Sequence, residues 1–295
     1  MSSNRAPSYT RCMSLASLSN GQAVTSITDW GANPTGLELH GYIPSSLPAK
    51  PGVILALHPC GGSGLQYSRQ TKYTAFADKG GFITLFPSTK NDYNCWDVAT
   101  NKSLTRDGGG DSTGLSNIIK WAKSKYNADP AKIFVTGSSS GCMMTNIMCA
   151  TYPDVFAASS CYSGMPAGCL AGASGSSPIT VGDRRCEQGK MVKTGAEWAK
   201  EVQAIYPGYN GTYPKMLIWH GDADRVISYT NLAETLKQWS AVKGLSFTKN
   251  ITNTPQAGYT QMIYGDGTEL VGYSAAGVGH TVPVHDDIDL KWFNL

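Results

Sequence analysis

Residues 132–149 constrain the fold of this chain more than any other stretch. Lys132-Ile-Phe-Val-Thr136 is a short apolar run of the kind found in a strand buried on both faces. It leads into Gly137-Ser138-Ser139-Ser140-Gly141, and then into a segment opening Cys142-Met143-Met144 that is apolar nearly all round. A buried strand, a turn with glycine at either end and a buried helix leave few architectures open. Such a turn is so tight that side chains at 137 and 141 would collide with neighbouring strands, and it lifts the central hydroxyl of Ser139 clear of the sheet. The helix that follows aims its N-terminal N–H groups at the same place. A Gly/Ser turn without chemistry is the plainer alternative, and the flanking strand and helix argue against it. The apolar girdle of the helix places Cys142 and Cys149 in the core as free thiols.

The rest of the chain alternates in the same way. Gly52–Leu57, Phe82–Phe86 (stopped by Pro87) and Lys215–Trp219 read as further buried strands. Asp111 reads as the N-cap of a helix running through Trp121 and Tyr126, and Thr194–Ile205 and Asn231–Val242 read as two more. This pattern predicts a mostly parallel sheet with helices on both faces, and with the serine turn it predicts an α/β-hydrolase fold. A length of 295 residues with 41% hydrophobic content suits one catalytic domain over residues 1–295. Two irregular stretches, 87–110 and 163–190, fall where such folds build sites.

In this fold the chain order is nucleophile, acid, histidine. Beyond Ser139, the strand ending at Trp219 runs into His220-Gly-Asp222-Ala-Asp224, the expected acid loop. Only His280 and His285 follow it. His280 lies between Gly279 and the Val282-Pro283 turn, in a loop able to approach the nucleophile. His285, beside Asp286 and Asp287, reads as a helix-start or surface residue. Asp224 is the better candidate acid because apolar anchors, Val226 and Ile227, follow it, which leaves Asp222 to brace the loop. The strand ending at Leu57 opens into His58-Pro59-Cys60-Gly61-Gly62, the position of an oxyanion loop. Pro59 has no N–H, so Cys60 N–H is the expected donor, with Ser140 N–H as the second. His58 precedes the serine and reads as structural.

Other classes find little support. The net charge is +3 and no Lys/Arg cluster suggests nucleic acid. No apolar stretch approaches a membrane span, and the opening twenty residues lack the apolar run of a signal peptide. The eight cysteines include no CxxC pair, and there is no HExxH, so neither a metal nor another cofactor is expected. Loops after neighbouring parallel strands open at one edge of a sheet, which predicts a Cys60–Cys95 disulfide. Cys169 and Cys186 bracket a Gly/Ser-rich loop and are expected to close it. Cys12 and Cys161 have no assigned partners. Three sequons, at Asn101, Asn210 and Asn250, fit secretion.

The assembled residues resemble the fungal carbohydrate esterase family 1, which contains feruloyl and acetylxylan esterases and is related to polyhydroxybutyrate depolymerases. The resemblance rests on His58-Pro-Cys60, Asn94-Cys-Trp-Asp97, Asp107-Gly-Gly-Gly-Asp111, Gly137 to Thr145, Tyr162-Ser-Gly164, Ala167-Gly-Cys169, Tyr206-Pro-Gly208 and Gly277 to Pro283, spanning the chain from about residue 23. It implies a secreted, metal-free serine esterase acting on xylan side groups, with Ser139, Asp224 and His280 as catalytic residues. The implied partner is a polysaccharide-linked ester, with no nucleic acid, membrane or protein partner. Trp96 and Pro178, in the two long loops, are candidate substrate-binding residues. Many acetylxylan esterases of the family carry a Trp shortly before the cysteine matching Cys186. Ser176–Cys186 has none, which favours an aromatic acyl group and so a feruloyl esterase. Acetylxylan esterase, polyester depolymerase, a peptidase and a non-catalytic carbohydrate-binding protein are the alternatives.

Overall fold

Alternate residues of the strand Gly52–Leu57 face two different cores, which is why its sequence is apolar without a break. Val53, Leu55 and Leu57 join one hydrophobic cluster, and Ile54 and Ala56 join another on the opposite face. This strand is β3 in a computed structural model that describes residues 23–295. Residues 1–22, which carry Cys12 and the stretch read for a signal peptide, lie outside the described residues.

The strands are β1 (Thr25–Ser26), β2 (Glu38–Tyr42), β3 (Gly52–Leu57), β4 (Phe82–Ser88), β5 (Ile133–Ser138), β6 (Ala158–Tyr162), β7 (Lys215–Gly221), β8 (Phe247–Thr252), β9 (Tyr259–Tyr264) and β10 (Leu270–Ala275). They form one sheet in the order β1-β2-β4-β3-β5-β6-β7-β10-β9-β8. The strands from β4 to β10 in that order are parallel, and both margins are antiparallel. The helices are α1 (Gly64–Gln70), α2 (Tyr73–Gly80), α3 (Asn101–Leu104), α4 (Asp111–Tyr126), α5 (Ser140–Thr151), α6 (Gly195–Ile205), α7 (Thr230–Lys243) and α8 (Asp286–Phe293). Residues of α4, α5, α6 and α7 cover one face, and residues of α1, α2 and α8 cover the other. The expected α/β-hydrolase-like architecture is therefore present. The strand order reverses between β3 and β5, and the crevice at such a reversal is where open α/β sheets place their sites.

The structure corrects three local expectations. Pro87 does not stop its strand, because β4 continues to Ser88. The pairing of β4 with β3 ends at Leu85, and beyond it only β2 remains alongside, so a residue without an N–H is tolerated there. Asp111 does not cap α4: Gly110 holds the cap position, and the Asp111 carboxylate accepts the Asp97 N–H at 3.0 Å. Cys142 is not a free thiol, because it is bonded to Cys161 of β6. The Cys60–Cys95 and Cys169–Cys186 bonds are both formed, and Cys149 is buried and free.

Candidate active site

The turn between β5 and α5 holds Ser139 at φ 55° and ψ −120°, a strained conformation for a residue with a side chain. Its surroundings over-determine it. The Ser139 N–H donates to Tyr162 O at 2.8 Å, which pins the turn to the end of β6. A Cβ at Gly141 would lie 2.1 Å from Leu57 O, and one at Gly137 would lie 2.5 Å from the Gly141 carbonyl, so only glycine fits at either position. Every residue of α5 is buried. The helix is tied to β6 by Cys142–Cys161, and Asn146 in its middle donates to Met165 O at 2.9 Å and accepts from Trp239 Nε1 at 2.9 Å.

His280 reaches Ser139 from the loop after β10. Its Nε2 is 2.8 Å from Ser139 Oγ, and its Nδ1 is 2.8 Å from Asp224 Oδ2. With the proton on Nδ1, the imidazole donates to the carboxylate and accepts from the serine hydroxyl. Asp224 Oδ1 accepts the N–H groups of Val226 and Ile227 at 2.8 and 3.0 Å. A further contact was not anticipated from the sequence. Buried His220, at the end of β7, places Nε2 3.1 Å from Asp224 Oδ2 and 3.0 Å from Ile227 O, two acceptors that require that nitrogen to carry the proton. Burial opposes ionisation of Asp224, but hydrogen bonds from His220, His280 and Ile227 outweigh it and hold the carboxyl well below the usual range. Asp222 accepts the Gly277 N–H at 2.7 Å and so braces the loop that carries His280.

The oxyanion-loop candidates lie across the crevice. Among the described residues Cys60 N–H has no backbone acceptor, whereas its neighbours are engaged: Gly61 N–H donates to Tyr93 O at 3.0 Å and Gly62 N–H to Pro59 O at 3.2 Å. Ser140 is the first residue of α5, where the helix ladder leaves an N–H without a partner. His58 is fully buried. Its Nδ1 bonds Pro59 O at 2.8 Å and its Nε2 accepts Thr89 N–H at 3.2 Å, while burial pushes its pKa down to about 4. Trp96 does not face substrate, contrary to expectation. It is fully buried, donates from Nε1 to His58 O at 2.9 Å and packs against the His58 ring, so it braces the loop from below.

Two cavities meet at Ser139, His280, Pro59 and Thr281. One, of 390 Å³, is bounded by Tyr67, Tyr162, Val282 and Pro283. The other, of 360 Å³, includes Cys60, Pro178, Ile179, Val226 and Glu187. Pro178 is thus in a position to touch a bound group. Behind the first cavity, Tyr162 and Tyr73 donate to buried Asp289 of α8 at 2.9 and 2.5 Å, and burial raises that carboxyl to about 7. His285 is the N-cap residue of α8, and it is no surface residue: its half-buried ring stacks on Trp219 at 4.6 Å.

A doubly wound sheet that brings a serine turn, a histidine loop and an acid loop together at one edge defines the α/β-hydrolase class. Within it the chain belongs to the esterase PHB depolymerase family, whose pattern matches residues 40–262. It is 48% identical to feruloyl esterase B of Talaromyces funiculosus over 273 residues, covering 92% of this chain and 77% of that protein. It is 43% identical to acetylxylan esterase A of Aspergillus ficuum over 272 residues, covering 91% of this chain and 88% of that one. The solved acetyl xylan esterase from Aspergillus awamori superposes with a TM-score of 0.87 at 42% identity, covering 92% of this chain and 99% of the other. The chain is a carboxylic ester hydrolase of the feruloyl and acetylxylan esterase group.

Proposed function

We propose that this protein is a secreted feruloyl esterase that frees hydroxycinnamoyl groups from xylan side chains through an acyl-enzyme on Ser139. The observation that carries the reading is the hydrogen-bonded series Ser139–His280–Asp224, with bonds of 2.8 Å, opening onto the two cavities. Ser139 Oγ attacks the ester carbonyl and passes its proton to His280 Nε2, and Asp224 stabilises the imidazolium. The oxyanion rests on the N–H groups of Cys60 and Ser140. His280 then protonates the leaving sugar oxygen, water takes that alcohol's place, and the acid is released with Ser139 regenerated. Ile179 and Val226, apolar side chains 52% and 57% exposed at the second cavity, suit an aromatic acyl group better than acetate. The similarity to feruloyl esterase B supports the same choice.

Secretion is consistent with three disulfides and with exposed asparagines at all three sequons, and no described helix is long and apolar enough to cross a membrane. The described residues are read as one catalytic unit, since a single sheet carries every candidate group. Acetylxylan esterase is the second reading, favoured by the match to the Aspergillus awamori structure. Rates on methyl ferulate and on acetylated xylan, measured side by side, separate the two. Faster turnover of acetylated xylan would replace the first reading with the second, and a Ser139→Ala variant that keeps full activity would remove the mechanism from both.

A further inference from the structure

Glu187 plays no part in the chemistry set out above, yet its position is unusual for a carboxylate. It is 1% exposed, and among the described residues neither side-chain oxygen has a hydrogen-bond partner. Burial pushes its ionisation above the ordinary range, and its own backbone N–H together with the charge of Arg184 at the rim offset this only in part. A buried polar group without a partner is normally removed by evolution or satisfied by something that binds.

The position is firmly held. Cys186, immediately before it, is bonded to Cys169, and Cys186 O accepts from Asn231 Nδ2 at 3.0 Å. Glu187 O accepts the Ser228 N–H at 2.7 Å, next to Ile227, whose own N–H serves Asp224. The backbone of Glu187 is therefore clamped to the loop that carries the candidate acid. Glu187 is among the residues lining the same 360 Å³ cavity as Ser139 and His280, with its carboxylate oxygens just beneath that wall. Met143, Pro178, Ile179, Val226 and Ile227 make much of the remaining lining apolar. A single acceptor held at the wall of an apolar slot matches a flat apolar group bearing one hydroxyl. A sugar ring would bring several hydroxyls into that slot and leave most of them unpaired.

We propose that Glu187 is the specificity residue of this cavity and accepts a hydrogen bond from the ring hydroxyl of a 4-hydroxycinnamoyl group whose ester carbonyl lies at Ser139. The assignment rests on the feruloyl reading and sharpens it to hydroxylated rings. The test compares kcat/KM for methyl 4-hydroxycinnamate and methyl cinnamate, which differ only by that hydroxyl. Both are measured on one preparation, so any unfolded fraction cancels in the ratio. The wild type is expected to prefer the hydroxylated ester by roughly 10- to 100-fold, the value of a hydrogen bond to a charged group. Glu187→Leu should bring the ratio close to one, and Glu187→Gln, which keeps an acceptor oxygen but not the charge, should fall between. Equal turnover of the two cinnamates by the wild type overturns the assignment without any variant. A Glu187→Leu protein that keeps the wild-type ratio overturns it too, because a purely structural carboxylate lowers both rates together. A wild type that deacetylates xylan but cleaves neither cinnamate is a different result, and it overturns the feruloyl reading beneath the assignment.

Discussion

Gly141→Ala tests how closely the Ser139 turn and the proposed oxyanion loop are pressed together. The new methyl would lie 2.1 Å from Leu57 O and 2.8 Å from His58 O, and both of those atoms are backbone. A Cβ needs at least about 3 Å, so the two segments must part by about 1 Å. Neither can yield locally. At Leu57 β3 is still paired with Gly137 of β5, and α5 is wholly buried and bonded to β6. The separation therefore displaces Cys60 N–H relative to Ser139. A misplacement of that size costs about 100-fold, and loss of the donor altogether costs about 100- to 1,000-fold in kcat. Overpacking should also lower stability by about 1–3 kcal/mol. The assay is steady-state hydrolysis of p-nitrophenyl acetate, with active-site titration to count folded molecules and a thermal melt of the same sample. Gly182→Ala is the control, since its Cβ would come no closer than 3.5 Å, to Ser174 Oγ, and should be tolerated. A folded Gly141→Ala enzyme with a kcat close to that of the control would refute the reasoning.

Asp224→Asn should cost far more activity than Asp222→Asn, because Asp224 touches His280 whereas Asp222 only accepts the Gly277 N–H; kcat for the two variants checks this, and the reverse order would exchange their roles. Asp289 should make stability fall as pH rises from about 4 to about 7: the unfolded chain releases this proton near the ordinary aspartate value, whereas the folded chain holds it to about 7. The interval is worth roughly 4 kcal/mol at most, so Asp289→Asn should stabilise more at pH 8 than at pH 4, and parallel melting curves across pH would contradict it. Removing the Cys60–Cys95 bond by double alanine substitution opens a loop of sequence separation 35, which should cost about 3–4 kcal/mol and lower kcat through a looser Cys60 N–H. An unchanged kcat in folded protein would show that Trp96 and His58 hold the loop without the disulfide.

The parts of the fold that could be read from the sequence were those buried on both faces. β3, β5 and β7 carry unbroken apolar runs because helices cover them above and below. β6 is buried just as deeply, yet its sequence Ala-Ser-Ser-Cys-Tyr gives no hydrophobic signal, because two of its buried positions are serines and its Cys161 is spent on a disulfide to α5. Missing β6 meant missing the partner of Cys142, although the burial of that cysteine was foreseen. β8 failed for the opposite reason: every residue of Phe247–Thr252 is exposed at the sheet margin, so no alternation marks it. At the site, motif and chain order pointed to Ser139, Asp224 and His280, which the structure brings within hydrogen-bonding distance. Trp96 was misplaced because an aromatic residue in a long loop looks the same in sequence whether it faces substrate or supports the loop. Nothing local marks Glu187 either, since its lack of partners is a property of the packed structure. His220 had one available signal, its spacing of four residues before Asp224.

The pairing between α5 and β6 also bears on how this chain must acquire its disulfides. Cys142 and Cys149 are seven residues apart on α5 and so share one face of the helix, two turns apart. Cys161, the native partner of Cys142, follows Cys149 closely in the chain. An oxidant acting before the helix has docked therefore meets two thiols in competition for one, and the shorter non-native loop is the easier to close. A Cys149–Cys161 bond would shift the helix along the strand by two turns and draw Ser139 away from His280. The correct product depends on docking before oxidation, or on a catalyst of thiol exchange that reopens the wrong ring. Among the described residues, Cys149, the one cysteine that ends up unbonded and hidden in the core, is thus the principal hazard to the yield of native enzyme wherever the chain is oxidised.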